Sequence, residues 1–308
     1  MNSPIGFVSP EEISRLGTPP EIFEAMRWAF IAVSSGAAEI PVRQYVSLHA
    51  SHGNGLVMPA YVRESRDGRY PDVYAVKMFN DIPGNRHAGR ATFQGVTVLF
   101  EISSGLPLAT FDAAALTALR TGVSTAIATD YLARPGGSVV GLVGAGPQGL
   151  STLRALGSLR GISSVRVLDR HVKAVSTLDF PMTPCSSVGE VASGADMIVM
   201  ATNSHSPLLS LNMVDSRCHV SALGSYRPQM KELESDLVKS SNVWVDNLAC
   251  LETSGDLIGL PIKARLFGEA LELSENIQGR TLYKSIGSAA QDALAAWVCY
   301  RKLVAKPD

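Results

Sequence analysis

The stretch that decides the fold reads Val139-Val-Gly-Leu-Val-Gly144-Ala-Gly146-Pro-Gln-Gly149. Its first five residues are apolar or small and predict a buried strand, and the glycines that follow have the spacing G-x-G-x-x-G. A second apolar run, Ser164-Val-Arg-Val-Leu168, ends at Asp169, twenty residues after the last of these glycines. A strand, a glycine turn, a helix, a second strand and an acid in this order are typical of a dinucleotide-binding βαβ unit.

Each residue of the glycine turn has a physical role in such a unit. Gly144 permits the tight turn, Gly146 lets the backbone approach a pyrophosphate, and Gly149 lets the helix pack closely against the strand. Pro147 suits the first helical turn, where its missing N–H costs nothing, and Gln148 follows it. The backbone amides at this helix start are expected to face the phosphates of the cofactor.

Asp169 has the position expected for accepting hydrogen bonds from the adenine ribose, and its charge would repel a 2′-phosphate. Arg170, beside it, could stack on adenine or bind that phosphate. The pair favours NAD and leaves NADP open as the cofactor.

The rest of the chain divides into two patterns. Short apolar strands alternate with helix-length segments after the glycine turn, which indicates a parallel sheet covered on both faces. These strands are predicted at residues 139–143, 165–168, 197–201, 219–223 and 243–245. Before it, residues 41–111 show mostly period two, broken by turn residues, and predict an antiparallel sheet. Helices are predicted around residues 20–34, from Asp112 to Pro135, and at the end of the chain.

Composition excludes several classes of function. The 308 residues carry 27 basic and 28 acidic side chains, so no basic surface for nucleic acid or anionic membrane is expected. No apolar run has the length of a membrane span, and the N-terminal residues do not resemble a secretory signal. The four cysteines form no C-x-x-C, which suggests reduced thiols and a cytoplasmic protein. The histidines show no metal-binding spacing, and no metal site is predicted.

Three basic residues and one turn are candidates for chemistry. Lys77 shares a strand face with apolar neighbours, and either snorkels at a sheet edge or presents its ammonium in a partly apolar cleft. Arg120 lies beside the apolar stripe of a helix and is either solvated or turned towards a ligand. Arg43, alternating with Val42, is by pattern an ordinary exposed arginine. Thr202-Asn203-Ser204 ends a predicted strand at the sheet edge where α/β proteins bind ligands, although polar turns are also common there.

Taken together, these segments and others resemble the ornithine cyclodeaminase and μ-crystallin family along nearly the whole chain. The resemblance rests on short motifs in a fixed order: Met58-Pro59-Ala60, Lys77, Pro83-Gly-Asn85, Gln94-Gly95, Ser104-Gly-Leu-Pro107, Leu116-Thr-Ala-Leu-Arg-Thr121, the glycine turn, Gly224-Ser-Tyr-Arg-Pro228, Glu232-Leu233, Gly255-Asp256, Lys284-Ser-Ile-Gly287 and Asp292.

The resemblance implies a Rossmann-type parallel-sheet domain, residues 117–288, for the dinucleotide. It also implies a discontinuous α+β domain, residues 1–116 and 289–308, for substrate binding and dimerisation. Family members typically form homodimers through the sheets of that domain and bind small α-amino or α-imino acids against the nicotinamide. By resemblance, Arg43, Lys77 and Arg120 match the residues that hold the substrate carboxylate, and Gly287 is a further substrate-binding candidate. Thr121 and Ser225 join Thr202 and Asn203 as cofactor-binding candidates.

One departure from the family pattern selects among its activities. Cyclodeaminases carry an aspartate in a Gly-Gly-Asp-Cys-Pro segment, where this chain has Gly224-Ser-Tyr226-Arg-Pro. A phenol, with an ordinary pKa of about 10, cannot replace a carboxylate as the partner of an ammonium group. The segment resembles instead the ketimine and pyrroline-carboxylate reductases of the family, and Tyr226, with Arg227 and Phe93, is expected to shape the substrate pocket.

The sequence therefore predicts an NAD(P)H-dependent reductase of cyclic ketimine acids, with Lys77 and Arg120 as catalytic residues. Three alternatives stay open: an ornithine or lysine cyclodeaminase, an alanine-dehydrogenase-like enzyme, and a non-enzymatic protein that binds the nucleotide or ligand.

Overall fold

A computed structural model describes residues 6–16, 19–170, 178, 180–273 and 277–305. Within them the elements follow one another as β1 (Gly6–Val8), α1 (Pro10–Leu16), α2 (Pro19–Ser34), β2 (Ala38–Glu39), β3 (Gln44–Leu48), β4 (Gly53–Val62), β5 (Val73–Asp81), β6 (Phe93–Phe100), β7 (Pro107–Asp112), α3 (Ala113–Leu132), β8 (Val139–Val143), α4 (Pro147–Gly157), β9 (Ser164–Leu168), β10 (Met182–Pro184), α5 (Val188–Ala192), β11 (Met197–Met200), β12 (His219–Ala222), α6 (Ser235–Lys239), β13 (Asn242–Val245), α7 (Cys250–Thr253), β14 (Ala264–Leu266), α8 (Phe267–Leu273), β15 (Thr281–Lys284) and α9 (Ala289–Val304).

The chain forms two compact units. Unit 1 comprises Met1–Arg120 and Ser288–Asp308, and unit 2 comprises Thr121–Gly287. The sequence placed the boundaries after residues 116 and 288, whereas the units separate after residues 120 and 287. The first boundary therefore falls inside helix α3, which contributes residues to both units.

Unit 1 is built on a seven-stranded sheet in the order β1-β7-β6-β5-β4-β2, with β3 also paired to β4. Apart from the parallel pair β1 and β7, its neighbouring strands are antiparallel. Successive side chains alternate between the two faces, so one face is buried and contacts α9, which also packs on α2. This burial explains the period-two pattern of residues 41–111.

The start of strand β3 differs from the prediction. The alternation of Val42 with Arg43 indicated one strand through both residues, but β3 begins at Gln44. Val42 is 79% exposed and Val46 is 55% exposed, so the apolar residues of this pattern do not face a core in the chain itself.

Unit 2 is built on an eight-stranded parallel sheet in the order β10-β9-β8-β11-β12-β15-β13-β14. All residues of β11, β12 and β15 are buried, as expected for a parallel sheet covered on both faces. The strand order reverses direction at β8, the strand that leads into the glycine turn. The reversal is the topological switch point of a Rossmann-type fold, which confirms the fold class predicted from the sequence.

Three strands of unit 2 were absent from the sequence prediction: β10, β14 and β15. The first two are three-residue strands, and β15 has the polar residues Thr281 and Lys284 at its ends, which hide its apolar centre. In the part of the chain described, no helix is both long and apolar enough to cross a membrane.

Candidate active site

A buried cluster of charges lies in unit 1, where β5, α3 and α9 each contribute one residue. Lys77 points to the buried face of the central strand β5, and its Nζ lies 2.5 Å from Oδ2 of Asp292 on α9. Arg120 on α3 donates from Nε to the other carboxylate oxygen, Oδ1, at 2.8 Å. Lys77 is only 2% exposed, and the other two side chains are also buried. Snorkelling of Lys77 at a sheet edge, one of the two accounts open from sequence, is therefore wrong.

The cluster holds two cations and one carboxylate away from water. Burial lowers the pKa of Lys77 to about 8, and Asp292, which favours the ammonium form, offsets this only in part. The charges of Arg120 and Arg43 lower the pKa of Lys77 further. Burial pushes the pKa of the Asp292 carboxyl upward, but Arg120 and Lys77 outweigh burial and hold it below its ordinary value. Asp292 is therefore an anion, and Lys77 exchanges its proton near neutral pH.

Gln291 adds an unused donor to this cluster. Its Oε1 accepts a hydrogen bond from Nη1 of Arg120 at 3.2 Å, which turns the amide nitrogen the other way. Among the described residues, Nε2 of Gln291 has no hydrogen-bond partner, although it is buried. A buried donor without a partner is costly, so this nitrogen is suited to a ligand oxygen.

Sequence reasoning assigned no role to Gln291 or Asp292. Asp292 was noted only as part of a motif. The sequence feature that could have indicated these two residues is a polar pair in the first turn of a helix whose other residues are mainly apolar. Ser288 caps that helix by accepting a hydrogen bond from the amide of Ala290.

Arg43 and Phe93 lie on the same unit as this cluster. Arg43 is half-buried just before β3, and its positive charge contributes to lowering the pKa of Lys77. Phe93 contacts Phe79, with ring centroids 4.1 Å apart, and Nζ of Lys77 lies 5.5 Å from the Phe79 centroid. Lys77 therefore lies near a pair of contacting aromatic rings, one from β5 and one from β6.

The glycine turn of unit 2 joins β8 to α4. Gly144 has a φ of +95°, which favours glycine, and a Cβ there would lie 2.4 Å from the carbonyl oxygen of Ala201. Pro147 is the first residue of α4, followed by Gln148, and a Cβ on Gly149 would lie 2.3 Å from the carbonyl oxygen of Gly144. Two glycines are therefore required by the packing of the turn itself.

Gly146 is different, because the chain itself does not require a glycine there. Its φ of −73° and ψ of −179° are open to any residue, and an added Cβ would meet no atom within 4 Å. Gly146 precedes the first residue of α4, where free backbone amides favour an anion. The space that its missing side chain leaves is therefore suited to the pyrophosphate of a dinucleotide.

The acid after β9 is tied to the glycine turn. Oδ2 of Asp169 accepts a hydrogen bond from the amide of Ala145 at 2.7 Å, and Arg170 beside it is exposed. Thr121 is buried, and its hydroxyl has no hydrogen-bond partner among the described residues.

The remaining cofactor-binding candidates lie in loops at the carboxyl ends of strands of the unit 2 sheet. Thr202 donates from both N and Oγ1 to Glu232, and Asn203 next to it is exposed. The hydroxyl of Ser225 donates to the carbonyl of Met230 and contacts Ser254. The side-chain hydroxyls of Thr202 and Ser225 thus have protein partners, and their backbone atoms are what these loops can offer a cofactor.

Two substrate-binding candidates also belong to unit 2. The guanidinium of Arg227 lies 5.1 Å from the centroid of the half-buried Tyr226 ring, within range of a cation–π interaction. Gly287 has a φ of +84°, and its amide donates to Oδ2 of Asp246 at 2.8 Å. This bond fixes the last residue of unit 2.

The glycine turn, the acid and the switch point together define a dinucleotide-binding protein of the Rossmann class. A profile of the ornithine cyclodeaminase/mu-crystallin family matches residues 9–307. The chain belongs to this family, which confirms the resemblance seen in the sequence.

Comparisons with known proteins agree along the whole chain. The chain is 32% identical over 309 residues to ketimine reductase mu-crystallin of Mus musculus, covering 96% of both proteins. Its fold matches that of Thermococcus litoralis Δ1-pyrroline-2-carboxylate reductase in complex with NADH and L-proline, with a TM-score of 0.88, 27% identity and coverage of 97% of this chain and 98% of that one. An archaeal alanine dehydrogenase dimer with bound NAD matches with a TM-score of 0.86 and 27% identity, over 97% and 96% of the two chains.

Proposed function

We propose that this protein is an NAD(H)-dependent reductase of cyclic ketimine acids, such as Δ1-pyrroline-2-carboxylate or Δ1-piperideine-2-carboxylate, giving products of the proline or pipecolate type. The observation that carries the proposal is the buried cluster of Lys77, Arg120 and Asp292. Its surplus positive charge suits a carboxylate, and Lys77 can give up a proton near neutral pH. Similarity to the ketimine and pyrroline-carboxylate reductases supports the same reaction.

The described residues fit a nicotinamide dinucleotide in unit 2. Gly146 leaves space for the pyrophosphate at the start of α4, Asp169 is suited to the adenine ribose, and the unpartnered hydroxyl of Thr121 is a further donor. The carboxylate of Asp169 favours NAD(H), since a 2′-phosphate would meet its negative charge, whereas the exposed Arg170 leaves a role for NADPH. When bound, the dinucleotide supplies the hydride.

Gly146 tests this placement. Replacing Gly146 by alanine is expected to weaken NADH binding by about tenfold or more, because the methyl group would occupy the space of the pyrophosphate. The melting temperature without dinucleotide should stay close to that of the wild type, since the new Cβ meets no protein atom. Fluorescence titration with NADH and thermal unfolding measure the two effects.

Gly144→Ala is the matched control for Gly146→Ala. It places a Cβ 2.4 Å from the Ala201 carbonyl at a positive φ, so it should lower the melting temperature of the protein itself. Wild-type NADH affinity in Gly146→Ala would show that the pyrophosphate does not bind at this turn.

The chemistry assigned to the chain is binding of a carboxylate and protonation of an imine. Arg43 and Arg120 bind the substrate carboxylate, a contact that a guanidinium makes well, and the amide nitrogen of Gln291 donates to one of its oxygens. Lys77 donates a proton to the imine nitrogen, and Asp292, which stays ionised, holds Lys77 in place. Such positioning contributes much of the rate enhancement of a two-substrate reaction.

Tyr226 separates this reaction from cyclodeamination. The chain has a phenol where the resemblance places the aspartate that binds a substrate side amine, so ornithine or lysine lacks its partner here. An alanine-dehydrogenase-like reaction is the second candidate, because the archaeal alanine dehydrogenase shares the fold and its open-chain imine carries the same carboxylate.

A single plate assay distinguishes these activities. Purified protein is mixed with NADH or NADPH and a panel of cyclic ketimine acids, pyruvate with ammonium, and ornithine or lysine with NAD. We expect the absorbance of NADH to decay fastest with a cyclic ketimine acid. Faster decay with pyruvate and ammonium would support the alanine dehydrogenase instead. Ammonia release from ornithine without net NADH would contradict the argument from Tyr226, and binding without any turnover would indicate a non-enzymatic protein.

We also propose that the protein forms a homodimer through the outer face of the unit 1 sheet. The side chains that alternate away from the buried face of β4 to β7 are mainly apolar and at least partly accessible: Val57, Pro59, Tyr74, Val76, Met78, Val96, Val98, Phe100 and Leu108. A contiguous apolar sheet face of this kind is typical of an interface, and a second copy presents the same face. The alanine dehydrogenase with a similar fold is a dimer.

Val76 tests the dimer. Val76→Glu is expected to convert the dimer to a monomer, because two carboxylates would be buried at the shared face. Light scattering coupled to size exclusion measures the mass. Val304→Glu, at an exposed site on α9, should leave the dimer intact. A dimer that persists in Val76→Glu would place the interface elsewhere.

A further inference from the structure

Three charged side chains are buried together at the carboxyl edge of the unit 2 sheet. Lys284 is the last residue of β15, and its Nζ lies 2.9 Å from Oδ2 of Asp256 and 3.9 Å from Oε2 of Glu232. All three side chains are completely buried. The group, called here the edge triad, contains two carboxylates and one ammonium.

Glu232 connects the loops that follow two neighbouring strands. Its Oε1 accepts hydrogen bonds from N and Oγ1 of Thr202, after β11, at 2.8 and 2.9 Å. Its Oε2 accepts from the amide of Gly224, after β12, at 2.6 Å. Asp256 in turn accepts from the amides of Glu232 and Leu233 at 2.8 and 2.9 Å, which fixes the segment that carries Glu232.

The same loops pack tightly against one another. A Cβ on Gly224 would lie 1.7 Å from the carbonyl oxygen of Thr202, so only glycine fits beside that loop. A Cβ on Gly144 would lie 3.3 Å from Cγ2 of Thr202, which places Thr202 against the glycine turn as well. Thr202 therefore packs against the loops that follow β8 and β12, and Glu232 accepts hydrogen bonds from both of its donors, N and Oγ1.

The bonding partners of Glu232 suit its ionised form. Burial raises the pKa of Glu232, whereas Lys284 and the backbone amides of Thr202 and Gly224, one on each carboxylate oxygen, act in the opposite direction. Hydrogen bonds from backbone N–H groups favour the charged form of a carboxyl. In its ionised form Glu232 adds a second carboxylate to that of Asp256, against the single ammonium of Lys284, so the edge triad has one surplus negative charge.

This charge lies on one side of the switch point. Asp169 follows β9, on the adenine side of β8, so the nicotinamide half of a dinucleotide is expected at the ends of β11 and β12 on the other side. The oxidised nicotinamide ring is positively charged and the reduced ring is neutral. A buried negative charge near that half therefore distinguishes the two oxidation states.

We propose that Glu232 is a positioning residue for the dinucleotide, which fixes the loops after β11 and β12. We also propose that the surplus charge it shares with Asp256 favours the oxidised over the reduced cofactor. The proposal rests on the dinucleotide site described above and assigns a role to residues that contact the loops rather than the substrate.

Two variants separate the two parts of the proposal. Glu232→Gln removes the charge of the carboxylate. It also places an amide N–H₂, which is a donor, opposite the donors of Thr202 or Gly224, so at least one of these hydrogen bonds is lost. Hydrogen exchange at the Thr202 and Gly224 amides, measured without dinucleotide, should become about tenfold faster. The ratio of the Kd for NAD+ to the Kd for NADH should rise about threefold, as measured by titration. Asp256→Asn should raise the same ratio while keeping the hydrogen bonds of Glu232 to Thr202 and Gly224, and with them slow exchange at both amides.

Glu234→Gln is the matched control, because Glu234 is exposed two residues away and should change neither readout. Equal weakening of NAD+ and NADH binding in Glu232→Gln and Asp256→Asn would overturn the charge effect, and unchanged amide exchange in Glu232→Gln would overturn the positioning role.

If Glu232→Gln does not fold, Thr202→Val tests positioning through exchange at the Gly224 amide and Asp256→Asn tests charge. A wild-type protein that binds neither dinucleotide would contradict the proposed function, whereas the exchange experiment would still test the role of Glu232.

Discussion

Replacing Lys77 by methionine is expected to lower kcat for ketimine reduction by about 10²- to 10⁴-fold, the usual contribution of a general acid. Methionine has a similar length and fits the apolar surroundings of β5, but it carries neither the proton nor the charge. Stopped-flow or steady-state decay of NADH absorbance measures the loss. The dinucleotide Kd should stay within about twofold of the wild type, because unit 2 contains the glycine turn.

The same residue predicts the pH dependence of the reaction. Lys77 acts as an acid only when protonated, and burial lowers its pKa to about 8. The wild-type kcat/KM should therefore fall above about pH 8, approaching tenfold per pH unit. In Lys77→Met this alkaline limb should disappear.

Lys239→Met is a matched control, since Lys239 is exposed on α6 and should show wild-type turnover and pH profile. Turnover of Lys77→Met within tenfold of the wild type would remove Lys77 from the mechanism. A limb that persists in the variant would assign the titration to another group.

Local patterns were sufficient for the features that depend on neighbouring residues. The face of Lys77 follows from strand alternation with Val73, Ala75 and Phe79, and all three are buried beside it. The glycine turn is likewise contained in a few consecutive residues. Its backbone conformation determines which positions must be glycine, so the sequence was enough to predict the strand, turn and helix.

The partners of the charged residues could not be predicted in this way. Asp292 and Arg120 are 172 residues apart, and Asp292 reaches its other partner, Lys77, because α9 packs beside β5. Lys284 likewise lies 28 residues from Asp256, on a strand whose polar ends concealed it. Neither periodicity nor spacing contains such contacts, since tertiary packing brings these side chains together.

The exposure of Val42 and Val46 shows the opposite limit of pattern reasoning. Alternation indicates which residues share a face, but it does not say what covers that face. In the single chain both residues are exposed, so their apolar character finds no explanation within unit 1 itself. The sequence pattern alone does not distinguish apolar residues that pack in the core of one chain from apolar residues that a second chain covers.

Asp292→Asn is expected to destabilise the protein by about 3–5 kcal/mol, because removing one partner leaves buried charges without compensation. Asparagine has the same size and can still accept from Nε of Arg120, but its N–H₂ then faces the ammonium of Lys77. Urea unfolding of the wild type and the variant at pH 7 measures the change in the free energy of unfolding. Asp236→Asn, at an exposed site, should change it by less than about 0.5 kcal/mol.

The destabilisation should also depend on pH and on Lys77. The folded-state pKa of Lys77, about 8, lies below its ordinary value of 10.5, so unfolding takes up a proton between these values and stability rises with pH there. Without Asp292 the folded-state pKa of Lys77 falls further. Lys77 then becomes neutral at lower pH, and the penalty should be smaller at pH 9 than at pH 7. Adding Lys77→Met to Asp292→Asn should likewise recover part of the stability lost at pH 7, because one of the two uncompensated cations is gone. Equal stability of Asp292→Asn and the wild type at pH 7 would show that Lys77 and Arg120 do not depend on this carboxylate.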